Sequence, residues 1–167
     1  MDRIAQFQKI SEQQFFKYIN EEASGMLDSA SRIYEDIKLP KRATIGSAGY
    51  DFFAPYDFTL ASGGTIKIPT GIRARISDGW VLMMFPRSGL GFKYRLQLNN
   101  TVGIIDSDYY YSDNEGHILV KVTNCGDKTL TVAKGQGFAQ GIFVPFGITE
   151  DDNVTDIRNG GFGSTTK

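Results

Sequence analysis

One polar segment carries residue types that can bind an anion. Pro86–Gly91, with the sequence PRSGLG, follows an apolar run from Trp80 to Phe85. An arginine, a hydroxyl and exposed backbone N–H groups at the end of a strand can hold an anion through charge-assisted and backbone hydrogen bonds. Taken alone, however, this segment fits an ordinary polar turn better.

A second polar segment, Asn99–Tyr109, combines an amide, a glycine that permits close approach of a ligand, a carboxylate and an aromatic ring. Within one hairpin, these groups offer partners to the edge of a base, an attacking water and the face of a sugar. A polar β-hairpin with an Asp-capped turn explains the same residues equally well.

Other kinds of catalytic site find no support in the sequence. It contains no Walker-type phosphate loop, no Cys/His metal cluster and no nucleophile elbow, which argues against covalent catalysis and protein-bound zinc. Because His117 is the single histidine, a general base is expected to be a carboxylate, and His117 is expected to be structural or to lie on the surface.

Composition and charge narrow the class of protein. A chain of 167 residues with 41% apolar content suits one domain, and 19 glycines against 5 prolines among short apolar runs favour an all-β fold. The net charge of −1 argues against nucleic acid and membrane partners. One cysteine and the lack of a long apolar stretch lead us to expect the cytoplasm.

Two kinds of element must position these residues. Apolar residues from Ile4 to Ile19 recur at helical spacing, so the sequence predicts a helical N-terminal segment. A helix is expected to begin at Ser11, and a second one, capped by Asp28 or Ser29, is expected to end before Pro40. Alternation in Thr65–Ile68 and Ile72–Ile76, between glycine turns, predicts half-buried antiparallel strands in a barrel or jelly roll.

Five segments resemble, in order, the motifs of the trimeric dUTPase family. Four of them are Ala48–Asp51, Pro86–Gly91, Gly103–Tyr109 and Gly135–Gln140, and the glycine-rich stretch from Arg158 to Thr165 is the fifth. The resemblance implies a distorted jelly-roll barrel over residues 37–157, a helical extension over 1–36 and a flexible arm over 158–167 that closes over an active site. It gives the extension no role.

The resemblance also implies a role for each matching residue. Asp106 would activate water for attack on the α-phosphorus of dUTP, and Tyr109 would pack on the deoxyribose and exclude a 2′-hydroxyl. Asn100 and the backbone around Gly103 and Ile105 would read uracil. The remaining substrate-binding residues would hold the phosphates or, for the tail aromatic, cover the base: Arg87, Ser88, Gly89, Gln140, Arg158, Phe162, Gly163, Ser164 and Thr165.

The implied enzyme is a dUTP diphosphatase that makes dUMP and pyrophosphate, keeps dUTP out of DNA and supplies dUMP for dTMP synthesis. Asp51 would act through waters on a Mg²⁺ ion that the triphosphate chelates. The resemblance further implies a homotrimer whose active sites are shared between subunits. In this chain Tyr110–Glu115 lengthens the segment after Tyr109, and we interpret it as a longer hairpin tip.

Two alternatives remain open. A dCTP deaminase would share the fold but needs a glutamate placed to protonate cytosine, and the segment Asp106–Tyr109 and the tail favour dUTPase instead. A dUTP-sensing protein would use the same pocket to signal to a regulator through the helical extension or through Tyr110–Glu115. An intact Asp106 favours turnover but does not exclude such a partner.

Overall fold

Strands are the predominant regular secondary structure of the computed structural model, which describes residues 2–158. Within those residues all strand pairings are antiparallel, and the all-β prediction is confirmed. The strands are β1 (Ala5–Lys9), β2 (Lys41–Arg42), β3 (Tyr50–Phe53), β4 (Phe58–Leu60), β5 (Thr65–Pro69), β6 (Ile72–Ile76), β7 (Trp80–Pro86), β8 (Leu96–Leu98), β9 (Gly103–Ile105), β10 (Leu119–Asn124), β11 (Leu130–Val132) and β12 (Gly137–Pro145).

The strands form one larger sheet and three smaller ones. The five-stranded sheet has the order β2-β3-β12-β7-β9, and a three-stranded sheet has the order β5-β10-β8. The other two sheets are the strand pairs β1-β6 and β11-β4. Several strands bury alternate side chains, as Ile72, Ala74 and Ile76 do in β6. In β6 the period-two pattern of the sequence therefore identifies the inward face correctly.

The helices are short. They are α1 (Glu12–Glu22), α2 (Ala30–Glu35) and α3 (Ser88–Tyr94), with 3₁₀ helices at Ser24–Ser29 and Ser107–Tyr111. The capping prediction at Ser11 is confirmed, because its side chain accepts a hydrogen bond from the backbone N–H of Gln14. The second predicted helix is present as α2 and ends before Pro40, but its N-cap Ser29 makes no side-chain capping bond.

The prediction that the whole N-terminal segment is helical is wrong for its first part. Residues Ala5–Lys9 form β1, which pairs with β6 from Ala5 opposite Ile76 to Lys9 opposite Ile72. Phe7 then packs on three aromatic rings of the larger sheet, those of Tyr50, Phe52 and Phe143, at centroid distances of 5.3 to 5.6 Å. Pairing with the edge of β6 and packing of Phe7 stabilise the strand more than the helical spacing of the apolar residues favours a helix.

The polar segment after β8 is not the predicted hairpin. Strands β8 and β9 flank it, but β8 pairs with β10 and β9 pairs with β7. The chain therefore crosses from one sheet to another between Leu98 and Gly103. The prediction that Tyr110–Glu115 is a longer hairpin tip is also wrong, since the flanking strands β9 and β10 lie in different sheets.

Candidate active site

A cavity of about 810 Å³ brings together most of the residues predicted for the nucleoside and for catalysis. Its volume lies within the range of about 300 to 1,000 Å³ that is typical of small-molecule sites. The predicted residues that line it are Asn100, Gly103, Ile105, Asp106, Tyr109 and Arg158. Because they come from the crossing segment, the 3₁₀ helix and the end of the described chain, the tertiary fold assembles this group.

Asp106 lies where β9 ends and the second 3₁₀ helix begins. Its backbone is extended, with φ −77° and ψ 160°, and it occupies the N-cap position of that 3₁₀ helix. Its carboxylate Oδ2 accepts a hydrogen bond from Nη2 of Arg158 at 2.5 Å. Arg158 also donates through Nε to Oδ1 of Asp108 at 2.9 Å, so one guanidinium bridges two carboxylates of its own chain.

Tyr109 stands beside them, nearly buried and held at its hydroxyl. The hydroxyl donates to the backbone carbonyl of His117 at 2.7 Å and accepts from Nδ2 of Asn114 at 2.7 Å. Burial raises the pKa of Tyr109 to about 12, so its hydroxyl stays a donor at neutral pH. These bonds fix the orientation of the ring in the cavity wall.

His117 supports this wall from inside the core. Its side chain is fully buried, and Nε2 accepts a hydrogen bond from the backbone N–H of Gly71 at 2.9 Å. Burial lowers the pKa of His117 from 6.5 to about 3, because the charged imidazolium is poorly solvated there. His117 is therefore a neutral structural residue, in agreement with the sequence prediction.

A second cluster joins Asp51, Arg87 and Gln140 on the larger sheet. Asp51 on β3 lies opposite Gln140 on β12, and Arg87 follows the end of β7. Nε of Arg87 lies 3.2 Å from Oδ1 of Asp51, and Nε2 of Gln140 donates to the carbonyl of Pro86 at 3.3 Å. None of the three lines the cavity described above.

Glycines make room for this cluster. A Cβ at Gly137 would lie 2.8 Å from Nη1 of Arg87, and one at Gly49 would lie 2.6 Å from Oε1 of Gln140. Real Cβ atoms do not come that close, so a side chain at either position would displace the polar end of Arg87 or Gln140. Both glycines lie in or beside segments that resemble family motifs.

Ser88 and Gly89 begin α3 and are both exposed. An ordinary turn was the simpler interpretation of Pro86–Gly91 taken alone, and it is wrong because this segment leads directly into a helix. Arg87 is the N-cap residue of α3. The tail residues Phe162, Gly163, Ser164 and Thr165 lie outside the described residues.

Over residues 2–158 there is no group of three or more Asp, Glu, His or Cys side chains placed to hold a metal ion. The carboxylate predicted to act on Mg²⁺, that of Asp51, has one oxygen paired with Arg87. Mg²⁺ commonly keeps several waters and binds through one or two carboxylates and substrate phosphates, so a lone carboxylate fits an ion that a triphosphate carries. Among the helices in the same range, none has the length and apolar character to span a membrane.

Several residues of the cavity were not identified from the sequence. Tyr18 of α1, Lys67 of β5, and Asp113 and Asn114 of the Tyr110–Glu115 segment all line it. Sequence spacing gave no signal for Tyr18, because its place depends on how α1 packs against the barrel. The lengthened segment did mark Asp113 and Asn114 as unusual, but not as part of the site.

Known proteins resemble this chain in sequence and in fold. A family model described as dUTPase matches residues 35–166. The chain belongs to the dUTPase family. It is 43% identical over 132 residues to the deoxyuridine 5′-triphosphate nucleotidohydrolase of Lactococcus lactis, an alignment that covers 77% of this chain and 88% of the relative.

Solved structures of dUTPases also resemble this chain in fold. The crystal structure of the dUTPase from Streptococcus mutans matches with a TM-score of 0.64 at 32% identity, over 86% of this chain and 98% of that one. A variant dUTPase from phage phi11 of S. aureus, described for its coordination of a structural Mg(II) ion, matches with a TM-score of 0.64 at 20% identity, over 92% and 98% of the chains. At that identity the second match shows the fold alone.

These comparisons confirm three predictions made from the sequence. The family, the jelly-roll dUTPase fold and the enzyme class, dUTP diphosphatase, are those of the relatives. The helix α1 and strand β1 precede residue 35, where the family match begins.

Proposed function

We propose that this protein hydrolyses dUTP to dUMP and pyrophosphate, with Asp106 as the general base. The observation that carries the proposal is the position of Asp106 in one cavity with Asn100, Gly103 and Tyr109. A carboxylate, a backbone able to approach a ligand closely and an aromatic ring are the groups that hydrolysis of a deoxynucleotide requires.

In the proposed reaction a water oxygen attacks the α-phosphorus while Asp106 accepts the proton of that water. The bond between the α-phosphorus and the bridging oxygen breaks, and pyrophosphate leaves with the bonding electrons. Oδ2 of Asp106 is hydrogen-bonded to Arg158 at 2.5 Å, so Arg158 must shift when that oxygen receives the proton. A phosphate offers the guanidinium an alternative bidentate partner.

The nucleoside would occupy the cavity. Asn100 and the backbone at Gly103 and Ile105 would hydrogen-bond the uracil edge, since all three line the cavity where the chain passes from one sheet to the other. The ring of Tyr109, locked by its two hydroxyl bonds, would pack on the deoxyribose. A 2′-hydroxyl would then meet a rigid wall, which favours dUTP over UTP.

The phosphates would bind to the second cluster. Arg87, Ser88, Gly89 and Gln140 supply a guanidinium, a hydroxyl, a backbone N–H and an amide, all of which can hold phosphate oxygens. Arg158 and the tail residues Phe162, Gly163, Ser164 and Thr165 would complete the enclosure from the arm. A closed site excludes water other than the attacking one.

Asp51 would hold the Mg²⁺ of the substrate complex through waters. When bound, Mg²⁺ neutralises charge on the triphosphate and orients it. Arg87 lies 3.2 Å from Asp51, so the carboxylate that would hold the cation and a guanidinium that would bind phosphate belong to one cluster.

We further propose that the protein acts as a homotrimer with active sites shared between subunits. The cavity and the Asp51 cluster lack common lining residues, which is the arrangement expected if one subunit supplies the base and another the phosphate contacts. In the cell, such an enzyme would keep dUTP out of DNA and supply dUMP for dTMP synthesis.

The decisive experiment measures pyrophosphate release from dUTP, UTP, dTTP and dCTP side by side with Mg²⁺, for the wild type and for Asp106→Asn. We expect turnover of dUTP alone. Loss of the general base should lower kcat by roughly 100- to 10,000-fold while dUTP binding persists, because the amide keeps the shape but cannot accept a proton.

Near-normal turnover by Asp106→Asn would remove Asp106 as the base. Ammonia release from dCTP would instead identify a deaminase. Tight dUTP binding without pyrophosphate release by the wild type would favour the sensing alternative.

A further inference from the structure

Tyr18 of α1 lines the cavity that contains Asp106 and Tyr109. This helix lies before residue 35, where the match to the dUTPase family begins. The position of Tyr18 is therefore a feature of this chain that the motifs do not account for.

Hydrogen bonds connect the start of α1 to the segment that follows Tyr109. The backbone N–H of Ser11 donates to Oε2 of Glu115 at 2.7 Å, and the Ser11 hydroxyl donates to Oε1 at 2.5 Å. In the preceding strand β1, Gln8 accepts a hydrogen bond from the Tyr110 hydroxyl at 2.7 Å. The N-terminal segment and the Tyr110–Glu115 segment thus hold each other in place.

The remaining length of α1 is fixed on the barrel. Phe15 and Ile19 are fully buried, and Glu22 in the last turn forms an ion pair with Lys67 of β5. Lys67 itself lines the cavity. Since α1 is held at both ends and along its apolar face, Tyr18 occupies a defined place in the cavity wall and is not a loosely attached surface residue.

Tyr18 and Tyr109 are supported by the same residue. The Tyr18 ring meets the His117 ring edge to face, with centroids 4.8 Å apart and planes at 80°. The Tyr109 hydroxyl donates to the backbone carbonyl of that histidine at 2.7 Å. His117, fully buried in the core, thereby sets the relative positions of two aromatic side chains in one cavity.

We propose that Tyr18 is a substrate-binding residue that contacts the nucleoside part of dUTP. The inference depends on the proposed function and adds a contact to it. The cavity contains the proposed base and sugar partners, Asn100, Gly103 and Tyr109, but none of Arg87, Ser88 or Gln140. Of the proposed phosphate contacts within the described residues, Arg158 alone lines this cavity. Tyr18 shares the wall with the nucleoside partners and is therefore placed to touch the nucleoside, to which an aromatic ring offers a large apolar surface at small entropic cost.

Calorimetric titration of the full-length enzyme with dUMP, and separately with pyrophosphate, tests the contact without turnover. In Tyr18→Ala the affinity for dUMP should fall roughly ten-fold, as is typical when a binding-site aromatic is truncated. Affinity for pyrophosphate should stay within two-fold of wild type. For dUTP turnover, KM should rise with kcat little changed, because the contact is made equally in ground and transition states.

Phe16→Ala is the matched control, since Phe16 lies on the same helix and packs on the core without lining the cavity. It should leave the affinity for dUMP at the wild-type value even where it lowers thermal stability. Tyr18→Leu, which keeps apolar volume, replaces Tyr18→Ala if the alanine variant fails to fold, and we expect the same selective loss.

Two results would overturn the inference. One is an unchanged dUMP affinity in a folded Tyr18 variant. The other is an equal loss of dUMP and pyrophosphate binding in both the Tyr18 and the Phe16 variants, which would reveal a general effect of α1 on the fold. A wild type that neither binds dUMP nor hydrolyses dUTP would refute the proposed function itself, so the two failures are distinguishable.

Discussion

At the scale of single residues, Tyr109 connects the cavity to the core. Its ring lines the cavity, and its hydroxyl satisfies both the carbonyl of His117 and the amide of Asn114. The side chain therefore has two separable parts. The ring would exclude a 2′-hydroxyl, and the hydroxyl holds the ring at the required angle.

Substitutions at Tyr109 separate these parts. Tyr109→Ala should raise the ratio of kcat/KM for UTP to that for dUTP, because the steric wall at the sugar is lost. Tyr109→Phe keeps the wall, so that ratio should change little, while the free energy of unfolding falls by about 1 to 3 kcal/mol for the two unsatisfied partners. An alanine variant with the wild-type ratio would show that Tyr109 does not discriminate at the sugar.

The buried neutral His117 makes stability depend on pH. Its pKa falls from 6.5 to about 3 in the folded protein, so below about pH 6.5 the unfolded chain binds a proton that the folded chain does not. Stability is therefore fully present above that pH and is lost as the pH falls toward 3. The slope can reach roughly 1.4 kcal/mol per pH unit.

Urea unfolding at pH 7.5, 6.0 and 5.0 should show this loss in the wild type. His117→Gln can still accept the N–H of Gly71 but does not titrate, so its stability should vary less over the same interval. Equal pH dependence in both proteins would mean that other groups, such as the carboxylates, control the acid sensitivity.

Among the elements, the turn that carries Glu115 depends on one glycine. Gly116 has φ +70°, and a Cβ there would lie 2.7 Å from Cα of Tyr110 and 2.8 Å from the carbonyl oxygen of Tyr109. Both atoms belong to the backbone and cannot rotate away. This turn places Glu115 where it accepts a hydrogen bond from Ser11, so it connects the cavity wall to the N-terminal segment.

Gly116→Ala should lower the free energy of unfolding by at least about 2 kcal/mol, from the left-handed backbone and the backbone clash together. Gly25→Ala is the control, because a Cβ at Gly25 meets nothing within 4 Å, and it should change stability by less than about 1 kcal/mol. Chemical denaturation of both variants gives the comparison. Equal stability of the two would show that the turn relaxes freely.

At the scale of the whole molecule, mixing of subunits tests which chain supplies the arm. Arg158 contacts Asp106 and Asp108 of its own chain, whereas the family resemblance implies an arm that closes over another subunit. The two arrangements predict opposite results when two inactive variants are mixed.

Consider a chain that lacks residues 158–167 and a full-length chain with Asp106→Asn, each nearly inactive alone. If the arm and the base come from different chains, random mixed trimers should have an intact pair at about a quarter of the sites. Co-refolding should then restore pyrophosphate release from dUTP. Mixed trimers, verified by mass, that stay inactive would place arm and base on one chain, as the contact of Arg158 suggests.

The sequence by itself determined the parts of this protein that depend on local chemistry. Strands β5 and β6 follow from period-two alternation, and β7 follows from a continuous apolar run. The start of α1 follows from the Ser11 cap, and the order of the motifs identified the family. The expectation of a carboxylate base in place of His117 also came from residue types, and the family resemblance then pointed to Asp106.

Tertiary structure decided what depends on long-range pairing. Residues Ala5–Lys9 form a strand because they pair with the edge of β6. The Asn99–Val102 turn connects two sheets because β8 pairs with β10 and β9 pairs with β7. Tyr18 entered the cavity wall through the packing of α1, and Glu115 reached Ser11 across 104 residues. Such contacts join residues far apart in the chain, so no local pattern of spacing or propensity encodes them.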